Sequence, residues 1–110
     1  MTDTKTTFYI GLKGKDMKTR INTMEEIEDV IKDVAVGFTI SAGVGGWKGK
    51  TEESAIVEII NVKESLTKEF EDRFIDSNED RVIDFLQKFF EDEFEQDSVG
   101  VFQVLGEARF

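Results

Sequence analysis

Three residue types are missing from this chain of 110 residues: it has no cysteine, no histidine and no proline. Without cysteine there is no disulfide, no thiol nucleophile and no thiolate metal ligand. Without histidine there is no imidazole acid–base chemistry near neutral pH and no Ser-His-Asp triad. Long apolar runs are lacking too. No segment approaches the roughly 20 apolar residues of a membrane span, and Met1 to Thr7 is polar rather than a signal peptide. The expectation is a soluble, cytoplasmic protein without cofactor, metal or membrane contact. At this length it folds as one domain, large enough to bury a core without covalent staples.

Positive charge is scarce and unevenly placed. The net charge is −10. Residues 1–50 carry eight basic and seven acidic groups, whereas 51–110 carry six basic and seventeen acidic. Nucleic-acid binding rests on Lys and Arg neutralising phosphates, so this balance argues against it and favours a basic protein partner or a plain solvated surface.

What is present is a readable order of elements. Thr7 to Leu12 has strand character, with Phe8, Ile10 and Leu12 on one face. The box Thr23-Met24-Glu25-Glu26 precedes Met24, Ile27, Val30, Ile31 and Val34 at helical spacing, which predicts a helix over 24–34. Val36 to Ser41 and Ser54 to Val62 read as a pair of strands forming a hairpin. The stretch 63–96 reads as two helices, a short one near 64–75 with Leu66, Phe70 and Phe74, and a main one with Val82, Phe85, Leu86, Phe89, Phe90 and Phe94. Ser77-Asn78 supplies N-cap residues between them. Ser98 to Leu105 closes the chain as a fourth strand, and residues 1–6 are expected to be a disordered tail. Strand, helix, two strands, helix, strand is the order of a ferredoxin-like βαββαβ sandwich, an α+β fold with a four-stranded antiparallel sheet and both helices on one face. Strands one and three would be central, and two and four would be edges.

The segment Gly43-Val44-Gly45-Gly46-Trp47-Lys48-Gly49-Lys50 holds four of the nine glycines, the only tryptophan and two lysines. Backbone amides, ammonium groups and an indole ring together suit an anion or a stacked ring, although the Walker spacing and the dinucleotide fingerprint are both missing. The plainer expectation is a flexible hairpin between strands two and three. In the ferredoxin-like order the turn after strand one lies at the same end. The candidate ligand-binding patch is therefore Gly45, Gly46, Trp47, Lys48 and Lys50 with Lys13 and Lys15.

The run from Gly46-Trp47 through Glu52-Glu53-Ser54, followed later by Phe94-Glu95-Gln96-Asp97-Ser98-Val99, resembles an uncharacterised family of small ferredoxin-like bacterial and phage proteins. The resemblance implies the fold and a small bacterial or phage-encoded protein, and carries no activity with it.

Other candidates read more simply as structure. Carboxylate pairs such as Asp72 with Asp76, or Glu91 with Glu95, arise at helical spacing in any acidic helix. Asp76-Ser77-Asn78-Glu79-Asp80 lacks the glycine and final glutamate of an EF-hand loop. The helical phenylalanines are expected in the core. On the second sheet face, Tyr9, Ile56, Ile60, Phe102 and Val104 would form a half-apolar surface, which predicts a partner interface or a homodimer through the sheets.

Three functions follow as expectations. The first is a non-enzymatic binding or regulatory protein that takes an anionic small molecule or a partner protein at the glycine-rich end. The second is an inhibitor whose acidic helical face, Asp72, Asp76, Asp80, Asp84 and Glu91, mimics nucleic acid for a basic partner. The third is a ferredoxin-like enzyme such as an acylphosphatase-like hydrolase, which needs an arginine after strand one. Arg20 is near, but its spacing does not match.

Overall fold

The computed structural model describes residues 3–12, 16–66, 78–94 and 99–106. The elements are β1 (Asp3–Gly11), α1 (Met17–Val34), β2 (Ala35–Trp47), β3 (Lys50–Val62), α2 (Asn78–Glu93) and β4 (Gly100–Gly106). The protein is α+β, with one four-stranded sheet in the order β2-β3-β1-β4. Every neighbouring pair is antiparallel. β3 and β1 are central and β2 and β4 are the edges, as the order of elements predicts.

Alternation along the strands sorts the residues onto two faces. Phe8 and Ile10 on β1, and Ala55, Val57 and Ile59 on β3, are buried together with Ile27 and Ile31 of α1 and Leu86 and Phe90 of α2. The helices therefore cover that face, and the Phe8 and Phe90 rings meet edge-on at 5.4 Å. Such a pair adds about 1 kcal/mol to the burial of the rings themselves. Phe94 is buried and Phe89 half-buried, but Phe85 is 59% exposed, so the helical phenylalanines are not all core. Phe70 and Phe74 lie outside the described residues.

Four boundaries differ from expectation. α1 begins a full seven residues before Met24, because Asp16 and not Thr23 is its N-cap: the Asp16 carboxylate accepts the Thr19 N–H at 2.7 Å. That bond holds the Asp16 carboxyl below its ordinary range. Thr23 sits inside the helix, where its hydroxyl donates to the Thr19 carbonyl at 2.9 Å. At the other end the orphan carbonyls of Val34 and Lys32 accept from the Lys63 N–H at 2.8 Å and the Lys63 Nζ at 2.9 Å.

The second difference is at the N-terminus, where residues 3–6 belong to β1 and are not a tail. Asn61 holds them: its Nδ2 donates to Asp3 Oδ1 at 2.7 Å, and its Oδ1 accepts the Thr4 N–H at 2.9 Å. The third concerns β2 and β3, each thirteen residues long, so that the glycine-rich stretch up to Trp47 is strand and not loop. Fourth, β4 begins at Gly100 and runs to Gly106. Residues 64–66 are helical, and the rest of the expected short helix lies outside the described residues.

Candidate functional site

The hairpin between β2 and β3 turns through Lys48 and Gly49 alone. Their φ values, 50° and 77°, are both positive, the signature of a type I′ turn. Gly49 suits that conformation and Lys48 bears it at some cost. The ladder closes at Trp47 opposite Lys50 and runs back through Gly46↔Thr51 and Gly45↔Glu52 to Gly43↔Ser54.

β1 stops pairing sooner. Its last partners are Gly11↔Ser54, with the Leu12 N–H reaching the Glu53 carbonyl at 2.7 Å. The hairpin therefore projects beyond the sheet by about three residues, on the order of 10 Å. On this ribbon Val44 is 74% exposed, and Gly45, Gly46, Lys48 and Lys50 are exposed as well. The structure brings Gly45, Gly46, Lys48 and Lys50 together at a projecting tip. Lys13, Lys15 and the Trp47 indole lie outside the described residues.

Beneath the ribbon, Arg20 of α1 forms an ion pair with Glu53 of β3. The Arg20 Nε is buried without a hydrogen-bond partner among the described residues. A guanidinium already held by a carboxylate is poorly placed to receive a phosphoryl group. No group of three His, Cys, Asp or Glu that could hold a metal ion occurs among the described residues.

The open face of the sheet is the second candidate surface, and here all five expected residues come together. Tyr9 pairs with Ile56, Lys5 with Ile60 and Val104, and Thr7 with Phe102. Tyr9, Phe102 and Val104 are 46%, 61% and 47% exposed, with Ile56 and Ile60 half-buried among them. Thr7 lies on this face yet is buried, because Phe102 and Glu58 flank it on either side. The Tyr9 ring lies over Gly100, where an added Cβ would sit 3.5 Å from it.

Toward β2 the face becomes bare: Gly37, Thr39, Ser41, Gly43 and Gly45 all stand on it. Ile56 leans across this gap, and its Cδ1 would be only 3.0 Å from a Cβ at position 43. One ion pair, Lys5 with Glu58 at 3.4 Å, crosses the apolar patch. Both side chains are well exposed, so it contributes little stability and mainly sets the charge pattern of the face.

The acidic face of α2 is less uniform than its sequence suggests. Glu91 accepts the Val99 N–H at 3.2 Å, and Gln87 Nε2 donates to the Val99 carbonyl at 2.8 Å, so both side chains anchor the entry to β4. Asp84 is exposed. Asp72 and Asp76, and the Asp80 side chain, lie outside the described residues. A shallow groove between Phe85 and Phe89 is lined by α2 alone, among the described residues, and is a helix surface and not a cleft. No described helix is long and apolar enough to cross a membrane. No protein-family model and no curated protein matches the chain.

Proposed function

We propose that the chain is a non-enzymatic protein-binding module of ferredoxin-like fold, whose partner surface is the open face of the sheet. The observation that carries this is the cluster of Tyr9, Phe102 and Val104, each about half exposed, around Ile56 and Ile60 on a chain in which 35% of residues are charged. Exposed apolar side chains scattered singly mean little, but a contiguous group on a rigid sheet face is what an interface uses. The β-α-β-β-α-β order and the edge positions of β2 and β4 support the ferredoxin-like reading.

The other readings have less to stand on. An anionic small molecule would meet Lys48 within a two-residue turn and Lys50 just after it, on a ribbon that projects from the sheet. Of the acidic face that a nucleic-acid mimic would present, Glu91 is engaged at the entry to β4, and Asp84 is the one exposed carboxylate among the described residues of that set. An acylphosphatase-like site would need Arg20, which Glu53 holds. Two copies pressed face to face would bring two bodies of net charge −10 together, which a partner of opposite charge would not, so the face is assigned to a different protein.

The test is capture from an extract of the native host with the parent chain and with a Phe102→Ser, Val104→Ser double variant of equal melting temperature. A partner held by the parent through a wash at about 0.5 M salt, where exposed charge pairs are screened, and lost from the double variant is the expected outcome. Equal retention by both chains, or release by salt alone, rejects the reading.

A further inference from the structure

β2 is an edge strand of thirteen residues, Ala-Val-Gly-Phe-Thr-Ile-Ser-Ala-Gly-Val-Gly-Gly-Trp, without one charged residue or proline. Edge strands offer a row of unpaired N–H and C=O groups, and soluble proteins defend them with lysine, proline, bulges or short length. None of those defences is present on β2, although the rest of the chain is densely charged.

The hairpin fixes which groups are on offer. Trp47 and Lys50 close the two-residue turn, so they exchange both of their backbone hydrogen bonds, and so does every second pair below them. Residues 37, 39, 41, 43 and 45 therefore direct their N–H and C=O toward β3. Val36, Phe38, Ile40, Ala42, Val44 and Gly46 direct theirs to the outer edge, which no strand occupies among the described residues.

We propose that a second copy of this chain pairs its own β2 antiparallel along this edge, about a twofold axis at Ser41, to make one continuous eight-stranded sheet. Centring on Ser41 engages all thirteen residues and sets outward-pointing groups opposite outward-pointing groups, for about twelve main-chain hydrogen bonds. The side chains fit in the same register. Phe38, 39% exposed, falls opposite the partner's Val44, itself 74% exposed in one copy. Ile40 falls opposite the partner's Ala42, and Val36 opposite the partner's Gly46, so that large faces small. On the open face, Gly37 meets the partner's Gly45, and Thr39 meets the partner's Gly43, so neither pair sets two side chains against each other.

Charge explains why a copy can dock here. Each molecule carries −10, and only an uncharged strip lets two such molecules approach without setting carboxylates against carboxylates. The strip is about 43 Å long, and across a sheet about 10 Å thick it gives roughly 430 Å² per copy, below the roughly 800 Å² of a standard interface. The dimer is therefore concentration-dependent, and tightens as salt screens the repulsion between the two acidic bodies. This goes beyond the open-face reading and leaves that face available on both copies.

Sedimentation velocity over a range of protein and salt concentrations tests the association, and two kinds of variant test its place. Val44→Pro removes an outward N–H that β3 does not use, and Val44→Lys adds charge at an exposed position. Each is expected to raise the dimer dissociation constant at least tenfold with the melting temperature retained. Ser41→Cys, in a chain with no other cysteine, is expected to give a disulfide-linked dimer on mild oxidation, since non-hydrogen-bonded antiparallel partners lie about 4.5 Å apart at Cα. Thr51→Cys, on the other side of the hairpin, is expected to give no disulfide-linked dimer under the same oxidation. A parent chain that is monomeric throughout, a dimer untouched by either Val44 variant, or a dimer that Ser41→Cys does not link overturns the proposal. A dimer abolished instead by Phe102→Ser, Val104→Ser overturns it in favour of face-to-face pairing.

Discussion

Asn61 shows how much one side chain decides. It takes φ 58°, a left-handed conformation that asparagine tolerates better than most residues, and its amide then reaches across to Asp3 and to the Thr4 N–H. These bonds tie the first residues of the chain into β1, where composition alone suggests a free tail. Asn61→Gly keeps the backbone geometry and loses the two bonds, for an expected destabilisation of about 1–2 kcal/mol. Asn61→Ala loses the bonds and adds a Cβ in the left-handed region, for about 2–4 kcal/mol. Urea unfolding of both variants measures the difference; equal stabilities would mean that the backbone conformation carries no cost. The role of Asn61 is not legible in the sequence, because a polar residue at the end of a strand looks the same whether it faces water or a distant segment.

At the scale of elements, the hydrophobic spacing made α1, α2 and the central strands legible, since Ile27, Ile31, Phe8 and Val57 bury as their periodicity requires. The boundaries were harder to read. A capping box at Thr23 is locally as good as the true cap at Asp16, and a start at Asp16 also brings Arg20 of the first turns to Glu53, a contact between distant segments. The hairpin lies where the sequence places it, and only the reach of its strands through the glycine-rich stretch is illegible, for a similar reason. Glycine disfavours strands by itself, yet opposite Thr51 to Ser54 it is held in a ladder, and the turn shrinks to Lys48 and Gly49. Lys48→Asn creates Asn-Gly, the sequence best suited to a type I′ turn, and is expected to raise the melting temperature by a few degrees. Gly49→Val forces a branched side chain to φ 77° and is expected to lower it by more; among the described residues nothing lies within 4 Å of the added Cβ, so the cost is backbone strain. A neutral Gly49→Val would show that the turn adopts another form.

For the whole molecule, the governing quantity is a net charge of −10 concentrated in the second half. Self-repulsion of that size opposes compaction, so the melting temperature at low protein concentration is expected to rise by several degrees between about 0.02 and 0.5 M sodium chloride. A melting temperature independent of salt would mean that the carboxylates are already locally compensated. The sequence by itself determined the function classes that are closed, the α+β order of elements and the apolar residues of each face, because these depend on residue chemistry and on spacing along one segment. It also named Tyr9, Ile56, Ile60, Phe102 and Val104 as one surface, since alternation fixes faces once the strand order is given. Only the tertiary structure decided that the glycine-rich segment is a projecting ribbon and that α1 starts at an aspartate cap. It alone also set the edge of β2 so that a charge-free row of main-chain groups points outward. Those features depend on where strands stop pairing with their neighbours, and that is settled by contacts between residues far apart in the chain.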